Sequence, residues 1–293
     1  GGGSSSTTGD SASSGGEPKA GSITVGNYQS VLNAGFGGLG GVTESRDALS
    51  ESGESTDNIF DITACETGSV TPTQTLIPPS RSAVFVDCVV GESKFNGSVS
   101  FVANPISGGF LLDPPVGNGS VTATITLDHF SAKTSDIDIN DMHGAMTLKI
   151  TVAGANETTE ITSDGLSFNF TEDGTTQAIE MTSMAFKFIE NGGNGEETDT
   201  LDYSYKQVLD GKDVTITYDT TMPFITTENE DYPRSGSMTI KSSEGGTIRI
   251  TAKDDERDKA RLEVDVDDDG DNEINAGKQP WSTISGETGS GSS

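Results

Sequence analysis

The segment "GAMTLKITV", residues 144–152, indicates the fold class of this chain. Apolar residues occupy every second position from Met146 to Val152, and threonine or lysine occupies the positions between them. Side chains of an extended strand point alternately to opposite faces, so this segment has one apolar and one polar face. Such a pattern is typical of antiparallel hairpins that cover a core on one side only.

The same alternation continues on both sides of this segment. It is found in "GSVTATITLDH" (119–129) and in the shorter segments "LSFNF", "MAFKF", "DVTITY", "GSMTIK" and "GTIRIT". Polar stretches with glycine separate these segments, and "LDGKD" predicts a tight hairpin turn at Asp210 and Gly211. We therefore expect a mainly β protein, a single large antiparallel meander over residues 22–285 that forms a sandwich or a partly open barrel to cover its apolar face.

A phrase of glycine, a small residue and an apolar residue recurs along the chain. It occurs in "NGSVSFV", "NGSVTATI", "HGAMTLKI", "SGSMTIK" and "GGTIRIT". Its spacing is irregular, so it does not predict a repeat architecture. We interpret these glycines as strand starts, where glycine permits a turn and a close approach of the backbone.

The two ends of the chain and two internal stretches have the composition of irregular segments. Residues 1–21 are rich in Gly, Ser and Thr and predict a flexible tether, and residues 286–293 predict a flexible tail. Such a tether is expected just after the lipid-bearing cysteine of a bacterial lipoprotein, which would lie upstream of Gly1. Residues 45–58 and 66–80 are polar, the second with prolines, and predict loops.

The segment "NYQSVLNAGFGGLGG", residues 27–41, predicts one short N-terminal helix. Tyr28, Val31, Leu32 and Phe36 fall on one side of it, at spacings of one helical turn. Asn27 stands where its side chain can accept a hydrogen bond from a first-turn amide. The apolar side either docks on the sheet, as in most amphipathic helices, or forms a lid over an apolar ligand.

The two cysteines, Cys65 and Cys88, end the strand-like segments "IFDITAC" and "SAVFVDC". Two neighbouring strands would bring them together, and their spacing is unlike that of redox or zinc motifs. Together with the exported character of the chain, this predicts a disulfide, with two buried thiols as the alternative.

An acidic segment, "VDVDDDGDNEI" (264–274), follows an alternating strand. Carboxylates at loop positions one, three and five suit a hard cation, and Gly270 at position six permits the sharp turn that follows. We expect Asp268 and Asn272 to face water. The alternative is a solvated acidic turn without an ion. The predicted Ca²⁺ ligands are Asp265, Asp267, Asp269, the main-chain carbonyl of Asp271, and Glu273.

This segment resembles the calcium loops with an Asp-x-Asp-x-Asp-Gly pattern that join two strands, as in integrin-type propeller repeats. The helix–loop–helix type of calcium loop takes a glutamate at position twelve, where this chain has Ala276. The resemblance covers about a dozen residues and therefore implies a calcium loop and not a propeller. A second acidic stretch, with Asp136, Asp138, Asn140 and Asp141, lacks the glycine and is a weaker candidate.

Charge and missing motifs exclude several classes of function. The formal net charge of −29 disfavours binding to nucleic acids and to anionic lipid surfaces. The sequence contains no apolar run of membrane-spanning length and no signal peptide, so we expect a mature exported form. It also lacks the common nucleophile, zinc-protease and phosphate-loop motifs. We interpret His129 as a packed residue at a strand end and His143 as a turn residue.

Four features together resemble a group of exported or lipoprotein-like, β-rich proteins of Gram-negative bacteria. They are the Gly/Ser-rich start, the helix "YQSVLNAGFGGL", the pair Cys65 and Cys88, and the closing segment from "YPRSGSMTIK" to Trp281. The resemblance implies an anchored, periplasmic or surface location and no particular activity.

Three functions remain open from the sequence. The first is a non-enzymatic envelope or cell-surface protein with a structural calcium loop, acting in surface or self-association interactions. The second is a carrier of an apolar ligand beneath the helix lid. The third is a glycan-acting hydrolase, which would need two paired acids in an open cleft.

Overall fold

The part of the chain that the structure describes is mainly β. This structure is a computed structural model and describes residues 18–36, 59, 62–76, 79–104, 117–133, 138–172, 175–227, 230–253 and 258–285. Helix α1 spans residues 28–36, and helix α2 is Trp281–Ser285. The strands are β1 (Thr67–Leu76), β2 (Pro79–Val90), β3 (Ser93–Asn104), β4 (Gly119–Lys133), β5 (Asp138–Ala153), β6 (Asn156–Glu172), β7 (Thr175–Asn191), β8 (Glu196–Leu209), β9 (Lys212–Thr227), β10 (Ser235–Ser242), β11 (Thr247–Ala252), β12 (Lys259–Asp265) and β13 (Ile274–Pro280).

All thirteen strands belong to one sheet, in which spatial order follows chain order. Each strand pairs antiparallel with the next, as the sequence predicts, and the sheet does not close, because β1 and β13 are its two edges. The predicted tight turn between β8 and β9 is also confirmed, since Asp210 and Gly211 both have positive φ values, 51° and 77°. These are the backbone angles of a two-residue hairpin loop.

The apolar positions of the alternating strands form one continuous inner face. In β5, for example, Met146, Leu148 and Ile150 are buried, and their neighbours of opposite parity lie on the outer face. Aromatic rings cluster on this inner face, with the rings of Tyr203 and Tyr218 stacked at 4.4 Å between centroids. Each large side chain buried here stabilises the fold by roughly 2 kcal/mol, so this face is the main source of stability.

Two of the glycines that we expected at strand starts, Gly97 and Gly144, lie inside β3 and β5 instead. Gly97 stands at a register irregularity between β3 and β4, whereas Gly236 is the second residue of β10, at the strand start as expected. A Cβ atom on Gly97 would lie 2.1 Å from the carbonyl oxygen of His129, so the backbones of β3 and β4 approach closely there. Bulges of this kind bend a strand and increase its twist. Gly119, by contrast, begins β4 as expected.

The prediction of a loop over residues 66–80 is wrong, because β1 occupies Thr67–Leu76 and β2 begins at Pro79. Threonine-rich sequences have high β propensity, and Pro72 is tolerated because β1 is an edge strand, where one missing N–H donor costs little. The predicted loop at 45–58 lies outside the described residues. So do residues 1–17 of the predicted tether and the predicted tail at 286–293.

A disulfide joins Cys65 to Cys88, which confirms the prediction from the sequence. Cys88 lies in β2, but residues 62–65 have no regular structure, so Cys65 precedes β1 and does not end a strand. The bond therefore fastens the start of edge strand β1 to its neighbour. Closing a loop of this length stabilises a fold by about 3 kcal/mol in the chain-entropy model.

Helix α1 packs against the inner face of the sheet at β8 and β9. Val31 and Leu32 are fully buried, and the ring of Phe36 meets the ring of Tyr218 edge-on at 5.9 Å. The hydroxyls of Tyr205 and Tyr218 donate to the carbonyl oxygen of Val31 at 3.0 and 2.8 Å. Tyrosine side chains thus supply both apolar contact and hydrogen bonds to this helix.

The start of α1 differs in detail from the expected cap. The side-chain oxygen of Asn27 accepts a hydrogen bond from the N–H of Thr24 at 2.7 Å, upstream of the helix, and not from a first-turn amide. Tyr28 is partly buried and packs against the core. No helix in the described part of the chain combines the length and the apolar character needed to cross a membrane.

Candidate metal centre

The acidic loop connects β12 to β13 at one end of the sheet. Strand β12 buries Ala260, Leu262 and Val264 on the inner face, and this fixes the point at which the loop begins. Asp265 is the last residue of β12 and is only 1% exposed. Gly270, at the sixth loop position, has a φ of 94°, a value that L side chains rarely adopt. The local sequence therefore builds the sharp turn that the calcium-loop pattern predicts.

Three of the predicted ligands converge in this loop. Oxygen atoms from Asp265, Asp267 and Asp269 all lie within 4.8 Å of one another. The Oδ2 atom of Asp265 accepts hydrogen bonds from the N–H of Gly270 at 3.1 Å and from the Arg249 guanidinium at 3.4 Å. Its Oδ1 atom is buried and has no hydrogen-bond partner among the described residues. A buried carboxylate oxygen without a partner is costly unless something positive approaches it.

The electrostatics of the loop show that a fourth carboxylate, Glu273, lies near the other three. Burial raises the pKa of Asp267, and the charges of Asp269, Glu273 and Asp265 raise this pKa further. Glu273 accepts a hydrogen bond from the N–H of Val266 at 2.6 Å, which fastens the end of the loop to its beginning. One guanidinium, that of Arg249, faces this set, so the local charge remains strongly negative.

Asp271 and Asp268 complete the loop in different ways. The N–H of Asp271 donates to the Oδ1 atom of Asp269 at 2.8 Å, while the role of the Asp271 carbonyl stays a prediction. Asp268 is exposed, as expected, but its side chain also makes two specific contacts. Its two oxygens accept hydrogen bonds from the N–H of Gly246 at 2.9 Å and from the hydroxyl of Thr247 at 2.6 Å. Asp268 therefore links the loop to the neighbouring β10–β11 turn.

The second acidic stretch of the sequence is organised by nearby cations. Asp138 pairs with Lys133 at 2.5 Å, and Asp141 pairs with the Nδ1 atom of His129 at 2.5 Å. The hydrogen bond to Asp141 is the main cause of a raised pKa at His129. His129 is exposed, with a φ of 50°, so its interpretation as a packed strand-end residue is wrong. Asp136 lies outside the described residues.

A further set of carboxylates, which sequence reasoning missed, lies on the inner face of β6, β7 and β8. Asp199 of β8 stands opposite Phe188 of β7 and Phe224 of β9. Two residues further along the same face, Glu157, Glu190 and Glu197 lie side by side on β6, β7 and β8. We call these four residues the inner-face acid group. Burial raises the pKa of Asp199 to about 7, and the charges of Glu197 and Glu190 add to this shift.

The alternation of residues along β8 is the sequence feature that could have revealed this group. Asp199 and Glu197 share the alternation that places Tyr203 and Tyr205 on the buried face, yet both are charged. Among the described residues, three potential metal-ligand atoms come within reach of one ion in the acidic loop but not in the inner-face acid group or elsewhere.

A cleft of about 930 Å³ lies beside α1 at β7, β8 and β9. Its lining includes Ser30 and Asn33 of α1, together with the ion pair between Lys206 and Glu180 at 2.5 Å. The lining mixes polar and apolar side chains, and of its two acidic residues, Glu180 and Asp213, the first is paired with Lys206. Comparisons with known proteins found no matching family model, no similar curated protein and no similar solved structure.

Proposed function

We propose that this chain is a non-enzymatic, exported protein of the Gram-negative cell envelope or cell surface, whose β12–β13 loop binds a structural Ca²⁺. The protein would be anchored in the outer membrane, periplasmic or surface-exposed, and would act through surface contacts, including contacts between copies of itself. The disulfide supports an oxidising compartment, and the strongly negative charge suits a cation-rich exterior.

One observation carries the calcium assignment: the buried, unpartnered Oδ1 atom of Asp265, which lies among two further carboxylates. Two unit charges about 4 Å apart interact by roughly 4 kcal/mol at the effective dielectric constant of a protein surface. Arg249 offsets only part of this repulsion, because it contacts Asp265 from one side at 3.4 Å. A divalent cation with several oxygen ligands would offset much more.

Calcium suits this loop better than other common divalent ions. The donors are hard carboxylate and carbonyl oxygens, without the imidazole or thiolate ligands that favour zinc or copper. Magnesium demands a near-octahedral arrangement and retains its waters, whereas a flexible loop with carboxylates at alternate positions suits the larger ion. All five predicted ligands come from one hairpin, and this arrangement is better suited to stabilising the fold than to catalysis.

Calorimetric titration tests the site directly. Wild-type protein, stripped with a chelator, should bind one Ca²⁺ with a dissociation constant of about 10 μM to 1 mM, and Mg²⁺ more weakly. The double variant Asp267→Ala, Asp269→Ala should give no binding heat. Absence of calcium heat for the wild-type protein would reduce the loop to a solvated acidic turn.

The proposed self-association is supported by apolar residues near the free edge of the sheet. Val84, Val86 and Val102 are 46%, 56% and 40% exposed on the outer face of β2 and β3, next to edge strand β1. Exposed apolar side chains beside an unpaired strand edge are typical of contacts between chains. Analytical ultracentrifugation should show concentration-dependent association that Val86→Lys weakens. A monomer at all concentrations would argue against this contact.

The two other functions have less support. The carrier hypothesis requires an apolar space beneath α1, but Val31 and Leu32 pack directly against the sheet, and the cleft beside α1 has charged side chains in its lining. The hydrolase hypothesis requires paired acids in an open cleft. The close pair Glu197 and Asp199 lies beside aromatic side chains of the core, and the cleft beside α1 is lined by other residues.

A further inference from the structure

Residues 21–27, which precede α1 and which we call the N-terminal strap, lie over the β10–β11 turn. Ser22 and Ile23 are buried, and the N–H of Ile23 donates to the carbonyl oxygen of Gly245 at 2.9 Å. A Cβ atom on Gly246 would lie 2.5 Å from the carbonyl oxygen of Ile23. The strap therefore rests directly on the backbone of this turn, and a small shift of the turn would disturb it.

The acidic loop holds the same turn from the other side. Both carboxylate oxygens of Asp268 are used, one by the N–H of Gly246 and one by the hydroxyl of Thr247. Thr247 is 2% exposed, so the hydroxyl end of this second hydrogen bond is buried, while Asp268 itself is exposed. Asp268 has a φ of 57° and stands between Asp267 and Asp269, two of the proposed calcium ligands. A change in the position of either neighbour would therefore move the Asp268 backbone.

The strap continues the connection as far as α1. The side-chain amide of Asn27 donates to the carbonyl oxygen of Ser22 at 2.9 Å, while its oxygen accepts from Thr24. The hydroxyl of Ser242, at the end of β10, donates to the carbonyl oxygen of Gly21 at 2.6 Å. An unbroken series of contacts therefore runs from the acidic loop through the β10–β11 turn to the helix.

We infer that calcium in the acidic loop holds the N-terminal strap on the sheet, so that loss of the ion loosens residues 21–36. This inference rests on the calcium site proposed above. Without the ion, the carboxylates on both sides of Asp268 repel one another and the loop widens. Asp268 then no longer keeps the β10–β11 turn in place, and the strap loses its support. With the ion, the ligands on both sides of Asp268 are fixed.

Hydrogen exchange with mass spectrometry tests this coupling on the full chain at neutral pH. Peptides covering residues 19–36 should exchange at least about ten-fold more slowly in millimolar calcium than in chelator. In Asp268→Asn, calorimetry should still show calcium binding, but the calcium-dependent protection of these peptides should be lost. Asp219→Asn, the same change at an exposed position of β9, should retain both calcium binding and protection.

Thr247→Val provides a second variant if Asp268→Asn does not fold, since it removes only the hydroxyl that donates a hydrogen bond to Asp268. It should bind calcium normally and show reduced protection of the strap. Calcium binding by the wild-type protein without any change in strap exchange would overturn this inference and leave the calcium site standing. Full protection in both variants would overturn the role of Asp268. A wild-type protein without binding heat would overturn the calcium site and the inference together.

Discussion

The acidic loop after β12 and the inner-face acid group around Asp199 both bring four carboxylates together, but their surroundings differ. In the loop, oxygens of Asp265, Asp267 and Asp269 lie within 4.8 Å of one another, and a main-chain N–H group and Arg249 hold the Asp265 carboxylate. On the inner face, Asp199 stands between aromatic residues of two neighbouring strands, and burial raises its pKa to about 7.

This difference shows that crowded carboxylates can be relieved in two ways. A partly solvated loop with oxygens aimed at one point can take a cation, because the charged form of each group is kept. A carboxyl held in apolar surroundings loses its charge instead, because the proton is the only cation that reaches it at little cost. The two regions should therefore respond to different solution variables, calcium for the loop and pH for the inner face.

The largest expected effect is the calcium dependence of the loop. At about 100-fold excess of calcium over its dissociation constant, the folded state should gain about 2.7 kcal/mol. Thermal melts in chelator and in millimolar calcium measure this gain for the wild-type protein. The Asp267→Ala, Asp269→Ala variant, with an unchanged β spectrum, should melt at one temperature in both buffers.

A wild-type protein that melts at the same temperature with and without calcium would break the comparison, because the loop would then be no more than an acidic turn. Magnesium provides an internal control, since its effect on the melting temperature should be the smaller of the two.

The next largest effect concerns the pH dependence of stability set by Asp199. Its pKa is about 7 in the folded state and near 4 when unfolded, so the folded state binds the proton more tightly. Stability should therefore fall as pH rises from about 4 to about 7 and level off above that range. Asp199→Asn should flatten this fall and stabilise the protein at pH 8 by about 2 kcal/mol.

Urea unfolding at several pH values, in chelator, measures the slope. Glu157 has a pKa raised by burial and by the charge of Glu190, so part of the slope should remain in the variant. Equal slopes for wild type and Asp199→Asn would show that Asp199 is ionised in the folded protein at neutral pH.

The sequence predicts the acidic loop and misses the inner-face acid group for a definite reason. The carboxylates of the loop stand at alternate positions of one short segment, so their convergence depends on local geometry alone. The inner-face acid group forms only when β6, β7 and β8 pair in one register, which places Glu157, Glu190 and Glu197 side by side. A single sequence reveals the period of each strand but not its alignment with the next one.

The same distinction explains the other results. Strand alternation and the Asp210–Gly211 turn are local signals, and both were predicted correctly. Edge strand β1 was missed because Pro72 reads as a loop signal until the strand is known to lie at an edge. The contact between Asp268 and the β10–β11 turn joins residues 22 positions apart and needs the folded hairpins.

A smaller effect should follow from removing Arg249, the cation that contacts the loop. Arg249→Gln removes a charge that competes with the ion for Asp265, so calcium should bind about three- to ten-fold more tightly. In chelator the variant should be slightly less stable than wild type, by about 0.5–1 kcal/mol, because Arg249 is 41% exposed and its ion pair is screened. Calorimetry and urea unfolding provide the two measurements.

Arg261→Gln is the matched control for this prediction. Arg261 pairs with Glu263 on the outer face of β12. Its substitution removes the same charge as Arg249→Gln, but at a position that does not contact the loop carboxylates. Calcium affinity should change little in this variant. Weaker calcium binding in Arg249→Gln would mean that the guanidinium orders the loop more than it competes with the ion.

The smallest expected effect is the coupling between the two regions, which should be close to zero. Asp265 and Asp199 lie on β12 and β8, four strand spacings apart, or about 19 Å across the sheet. This separation is about twice the screening length at physiological salt. In a double-mutant cycle, the stability gained from calcium should therefore agree between wild type and Asp199→Asn within about 0.5 kcal/mol.

A coupling well above that value could not be carried by direct electrostatic interaction. It would require a mechanical connection, which α1 offers, because the hydroxyls of Tyr203 and Tyr205 in β8 donate to its carbonyl groups and the strap joins it to the acidic loop through the β10–β11 turn.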